Sequence, residues 1–233
     1  MTDLRNAVVL VTGANGGLGR LFVTEALSRG ATKVYATART PRTWDDERVV
    51  PLALDITSTE SIAAAAEQAG DVTVLINNAG ISAPRLPVLR TPLDDVRRVF
   101  ETNVFGQVAM LQAFAPVLAR NGGGAVIDVH SSLSWLAMGT YSATKAAFWS
   151  FTNALRLELL EQGTQVVGAH LGYTDTPMTA ALDVPKEDPR DIVEAIYTGL
   201  EAGELEVLAD DTSREVKQAL AEPLPVLYPA LAR

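Results

Sequence analysis

Ala7-Val-Val-Leu-Val11 runs directly into Thr12-Gly13-Ala14-Asn15-Gly16-Gly17-Leu18-Gly19. The unbroken apolar run fits a strand buried on both faces, as in a parallel sheet. Arg20 to Arg29 then reads as a helix ended by Gly30. Glycines between a strand and a helix let the backbone turn tightly and approach a phosphate, and the helix N-terminus adds unpaired N–H groups and its dipole. Alone, such a turn is weak evidence; between a buried strand and a helix it marks the place where a dinucleotide pyrophosphate binds.

The alternation continues along the chain. Further strands are expected at Lys33–Thr37, Val49–Leu54, Val72–Ile76, Ala125–Val129, Gln165–His170 and Glu206–Leu208. Helices are expected at Glu60–Gln68, Leu93–Leu118, Tyr141–Leu160 and Arg190–Leu200. This order predicts an α/β fold, a Rossmann-like, doubly wound parallel sheet with helices on both faces. No linker, repeat or low-complexity stretch interrupts it, so residues 1–233 are expected to form a single domain. The proline-rich tail, Glu222-Pro-Leu-Pro225 and Pro229, reads as a surface arm or a strap over a neighbour.

Composition narrows the function. Of 233 residues, 48% are hydrophobic and 20% charged, ordinary for a chain with a real core. A net charge of -9 argues against nucleic acid or an anionic membrane as partner, while leaving room for a small anionic cofactor. With no cysteine there is no disulfide or thiol chemistry. No signal peptide is evident, and no apolar run approaches the ~18 residues of a membrane span. A soluble cytoplasmic protein is expected.

Tyr141-Ser-Ala-Thr-Lys145 places a phenol and an ammonium on one helix face. A free tyrosine, with a pKa near ~10, is a poor acid-base group at neutral pH, and a fixed cation favours its phenolate. By itself the spacing more often means a packed ring beside a solvated lysine. At the end of the second strand, NAD-binding proteins tend to carry an acidic residue for the ribose hydroxyls. Here Ala38-Arg39 stands there, and a guanidinium suits the 2′-phosphate of NADP(H).

Taken together, Thr12-Gly13-xxx-Gly17-x-Gly19, Asn77-Asn78-Ala79-Gly80 and Tyr141-xxx-Lys145 resemble the short-chain dehydrogenase/reductase family in its single-domain form, over residues 7 to about 210. The resemblance implies an oxidoreductase that reduces a ketone or aldehyde to an alcohol, or the reverse, with NADP(H). It implies that Gly13, Asn15, Gly16, Gly17, Leu18 and Gly19 cradle the cofactor with Arg39, and that Asp55 and Ile56 meet the adenine. Asn78, Ala79 and Gly80 would run beside the ribose, and Gly172, Thr174 and Thr176 beside the nicotinamide. Tyr141 would be the proton donor, and Lys145 would lower its pKa and bind the ribose. Asn103 would hold a water in a proton relay. The catalytic serine lies among Ser131, Ser132 and Ser134; alignment of Leu-Ser-Trp135 favours Ser131, with Ser132 the second choice.

Three departures from the family pattern stand out. The Ser131-to-Tyr141 connection is a few residues short, Asp128 stands where asparagine is common, and Leu171 where proline is common. Apolar Trp135, Leu136 and Met138 suggest a hydrophobic carbonyl substrate, or else core and subunit contacts. His130 and His170 have no third ligand at metal spacing, so no metal is expected. Asp45-Asp-Glu47, Asp94-Asp95 and Asp210-Asp211 read as solvated charge on turns and helix starts. Phe148, Trp149, Phe151 and Leu155 exceed one buried helix face, which, with the family resemblance, implies a homodimer or homotetramer. A non-catalytic NADP-sensing protein is the alternative from another class, though such proteins usually lose the tyrosine or lysine. Epimerases and dehydratases resemble a longer chain with different glycine spacing.

Overall fold

All seven expected strands form, and every pairing between them is parallel. The computed structural model describes residues 2–232. Its strands are β1 (Val8–Val11), β2 (Lys33–Ala38), β3 (Val49–Ala53), β4 (Val74–Asn77), β5 (Ala125–Val129), β6 (Gln165–His170) and β7 (Glu206–Leu208). They stand in the order β3-β2-β1-β4-β5-β6-β7. The chain therefore reverses direction across the sheet between β1 and β4, and doubly wound sheets bind ligands beyond the strand ends at such a point. The register sets Val9 between Val34 and Val74, so the central strand is apolar on both sides.

The helices are α1 (Gly17–Ser28), α2 (Thr59–Gln68), α3 (Leu93–Phe100), α4 (Gly106–Arg120), α5 (Thr140–Glu158), α6 (Pro189–Ala202), α7 (Asp211–Ala219) and the short α8 (Leu224–Leu227). One core layer lies under α1 and α6, where Phe22 and Tyr197 meet edge to face at 5.6 Å and the Tyr197 hydroxyl donates to the Phe22 carbonyl. The other holds Leu10, Leu75, Met110, Phe114 and Phe148 beneath α2, α4 and α5. These fully buried side chains supply the main driving force for folding, at about 1.5–3 kcal/mol each.

Two expectations are corrected here. Helix α1 begins at Gly17 and not at Arg20, so the last glycines belong to its first turn. Leu93–Arg120 is one 28-residue helical run, long and apolar enough to pass as a membrane span at a mean hydropathy of 1.2, although no such run was expected. Half of that window is buried inside the protein, because α4 is a core helix packed against α2 and β4. The proline-rich tail folds back on its own chain, where the Tyr228 hydroxyl accepts the Ala137 amide at 3.0 Å.

Candidate active site

Local sequence shapes the cradle at the end of β1. Gly13 has φ 69° and Gly17 φ 27°, values that side-chain-bearing residues avoid. A Cβ on Gly19 would lie 2.2 Å from the Gly13 carbonyl oxygen, so α1 closes onto the turn only because that position is glycine. A Cβ on Gly17 would meet Thr176 at 3.2 Å, which brings the loop after β6 against the turn. The N-cap, Gly16, has no side chain to occupy the first amides of α1, and no carboxylate stands in the first turn. Those amides fit a pyrophosphate by charge and by space. Leu18 packs into the core and anchors the helix start.

Asn15 turns out to be a brace. Its amide nitrogen donates to the Thr40 carbonyl at 2.7 Å and its oxygen accepts the Arg42 amide at 3.3 Å, tying the glycine turn to the loop after β2. Arg39 stands exposed in that loop. Asp55 accepts the Thr57 amide and hydroxyl, which hold its carboxyl below the usual range, with Arg39 adding to the effect. Ile56 is buried, and a Cβ on Gly106 of α4 would lie 2.6 Å from its carbonyl oxygen.

The turn is sewn to β4 by a residue with no assigned role in the sequence reading. The Thr12 hydroxyl accepts the Asn78 and Ala79 amides, both at 2.9 Å, while the Asn78 side chain donates to the Thr12 carbonyl. Buried Gln107 reaches back to the Ala79 carbonyl. Asn103 sits in a single π-helical turn, Glu101–Phe105, that joins α3 to α4. Such turns re-aim side chains and recur at functional sites. Its side chain accepts the Ile81 amide and donates to the Ile81 carbonyl, both at 2.9 Å, and to the Thr144 hydroxyl at 3.2 Å. The buried side chain thus ties the segment after Gly80 to α5, and is not an exposed polar group on the helix surface.

Ser131 opens the short turn Ser132–Ser134 after β5, and its Oγ accepts the Leu133 amide at 3.1 Å. That bond uses a lone pair and leaves the hydroxyl proton for a substrate oxygen. Tyr141 lies one residue into α5 and is partly exposed. Lys145, one turn on, is buried; its Nζ is 5.8 Å from the Tyr141 ring centre and donates to the Val129 carbonyl at 2.8 Å. Desolvation pushes the phenol up to about 12 and pulls the lysine down to about 8, with Asp128 opposing the second shift. In this geometry burial, and not the lysine, sets the direction of the phenol's shift.

Beyond β6, the Gly172 amide donates to the Asp210 carboxylate at 2.5 Å, so this backbone is tied down from below. Thr174 is buried with its carbonyl held by Thr179, whereas Thr176 is half-exposed beside Gly17. Asp210 corrects an expectation. It is buried, caps α7 through the Ser213 amide at 2.7 Å and is not solvated charge. Trp135 likewise faces inward, stacked on His170 at 4.0 Å, which leaves partly exposed Leu136 and exposed Met138 as the apolar side chains of that set open to the surface.

A profile for short chain dehydrogenases matches residues 7–187. The chain belongs to the short-chain dehydrogenase/reductase family. It is 32% identical over 233 residues to a short-chain dehydrogenase/reductase of Pestalotiopsis microspora, covering 94% of this chain and 82% of that one. An NADP-dependent 3-hydroxy acid dehydrogenase of Schizosaccharomyces pombe is 29% identical, covering 90% of this chain and 93% of the relative. The crystal structure of a short chain dehydrogenase from Burkholderia cenocepacia in complex with NADP superposes with a TM-score of 0.92 at 38% identity, covering 99% and 100% of the two chains. In this family member the residues missed from sequence are Thr12, Gln107, His170 and Asp210. Gln107 had a local signal, one helical turn beyond Asn103, and Asp210 another, three residues before Ser213 at the start of α7; Thr12 and His170 act through partners far along the chain.

Proposed function

We propose that the protein is an NADPH-dependent reductase of a ketone or aldehyde, with Tyr141 as the proton donor. The observation that carries the reading is geometric: Ser131 keeps a free hydroxyl proton at the end of β5, and Tyr141 lies one helical turn before Lys145, whose ammonium is fixed to the sheet. NADPH, when bound, supplies the hydride. Gly13, Gly17 and Gly19 leave room for its pyrophosphate at the start of α1, and Arg39 suits its 2′-phosphate. The names of the two relatives that mention NADP support the same choice.

The Ser131 hydroxyl donates to the carbonyl oxygen and holds it against Tyr141. As negative charge grows on that oxygen, the Tyr141 hydroxyl donates its proton. The Lys145 ammonium, with one N–H bonded to Val129, keeps two donors that would serve the cofactor ribose and the phenolate left behind. A cytoplasmic homo-oligomer fits this reading, since Phe105, Phe151 and Leu157 are exposed on α5 and the turn before α4. The test is loss of nicotinamide absorbance when NADPH is mixed with a panel of ketones and aldehydes, with NADH in parallel. Tight NADPH binding without turnover of any carbonyl would favour a sensing protein.

A further inference from the structure

The turn that carries Ser131 is held from behind by an imidazole. His170 ends β6 and is fully buried, with Nδ1 3.3 Å from the Ser131 carbonyl oxygen. That oxygen can only accept, so the ring proton belongs on Nδ1. The same ring stacks on Trp135, with centres 4.0 Å apart and planes 17° from parallel. Trp135 follows the turn that Ser131 begins, so one imidazole grips both ends of it.

Other side chains enclose the ring, although with the proton on Nδ1 the Nε2 atom is an acceptor and makes no hydrogen bond to the Glu206 carboxylate. Glu206 lies 3.6 Å from His170 Nε2 and bonds Lys217 at 2.8 Å, and Lys217 lies over Trp135 at 4.7 Å. His130 lies beside His170 at 4.9 Å, its ring tilted by 33°. Burial pulls the His170 pKa down to about 4, which keeps the ring neutral with a single proton to place. Only nine residues separate Ser131 from Tyr141, so the connection has little length with which to brace itself.

We propose that His170 is a positioning residue for the Ser131 hydroxyl, acting through the Ser131 carbonyl and the Trp135 ring. The proposal rests on the reading of Ser131 as the hydroxyl that meets the substrate oxygen. His170→Asn keeps a donor near the Nδ1 position, whereas His170→Phe keeps a ring for Trp135 and removes the donor. The expected result is a fall in kcat of about 10- to 100-fold for His170→Phe, as for a small misplacement of a reacting group. The NADPH Kd measured by fluorescence should be unchanged, and His170→Asn should recover most of the rate.

A double-variant cycle separates positioning from general damage. In a Ser131→Ala background, His170→Phe should cause no further fall in kcat; an equal fall in both backgrounds overturns the proposal. Two measurements on the protein without substrate decide the matter even if no carbonyl is turned over. Nitrogen-15 NMR should find the His170 proton on Nδ1, and the Leu133 amide should exchange with solvent faster in His170→Phe than in the parent. A proton on Nε2, or unchanged Leu133 exchange, overturns the positioning role. An inactive parent with both signals as expected overturns only the functional reading.

Discussion

Lys145 Nζ donates a 2.8 Å hydrogen bond to the Val129 carbonyl, so the lysine is anchored to the end of β5 and not to the tyrosine one turn before it. Its desolvated ammonium titrates near 8. Below that pH the cation prevails; above it the neutral amine does. Carbonyl reduction should therefore decline as pH rises through about 8, and the pH profile of kcat/KM checks this. A profile still flat well above that pH would remove the lysine from the proton path.

Tyr141→Phe removes the proton donor while leaving the ring in place. Turnover should fall by about 10²- to 10⁴-fold, the usual worth of a positioned acid. NADPH binding, measured by fluorescence titration, should stay within about twofold of the parent, since the ring contributes no charge to the phosphate cradle.

Arg39→Ala tests the cofactor preference. A charge-assisted hydrogen bond contributes about 1.5–3 kcal/mol, so NADPH affinity should weaken by about 10- to 100-fold. NADH affinity should not change, and equal losses for both cofactors would detach Arg39 from the 2′-phosphate.

Gly19→Ala and Gly16→Ala form a matched pair. A Cβ at Gly19 would lie 2.2 Å from the Gly13 carbonyl oxygen, while one at Gly16 meets nothing within 4 Å. Thermal unfolding and NADPH titration should show Gly19→Ala losing stability by about 1–3 kcal/mol, as overpacking does, together with cofactor binding. Gly16→Ala should fold with near-parent stability.

Asp128→Asn should stabilise the fold at neutral and higher pH. Asp128 is fully buried, accepts Asn77 at 3.0 Å and Thr152 at 2.7 Å, and is pushed from 3.8 up to about 6 by desolvation. A carboxyl whose native pKa exceeds its unfolded one favours folding most below the unfolded value. Stability is lost as pH rises from about 4 to about 6 and stays lower above it, by up to about 3 kcal/mol. An asparagine accepts from Asn77 and donates to Thr152, whose hydroxyl still reaches the Phe148 carbonyl at 3.0 Å. Denaturant titrations across that pH range should show the dependence flattened. Because Asp128 raises the Lys145 pKa, the decline in activity near pH 8 should also move to lower pH.

The buried parallel first strand, the glycine turn and the tyrosine–lysine pair were legible from Val8–Val11, Gly13–Gly19 and Tyr141–Lys145, because each is a short pattern whose physics is local. Buried strands are apolar throughout, tight turns demand glycine, and one helical turn aligns two side chains. The roles of Asn15, Asn103, Thr12, His170 and Asp210 were not legible in that way. The Asn15 side chain braces the loop after β2, and Asp210 looks solvated and is a buried cap.

The amino-acid sequence by itself determined the parallel doubly wound sheet and the family, and it named the positions proposed here as the meeting point of a dinucleotide and a carbonyl. Only the tertiary structure decided which polar groups stay free at that meeting point. Lys145 and Val129 lie 16 positions apart, Ser131 and His170 39, and Gly172 and Asp210 38. Hydrogen bonds across such separations depend on strand register and helix docking, and burial then sets the protonation of the groups they enclose.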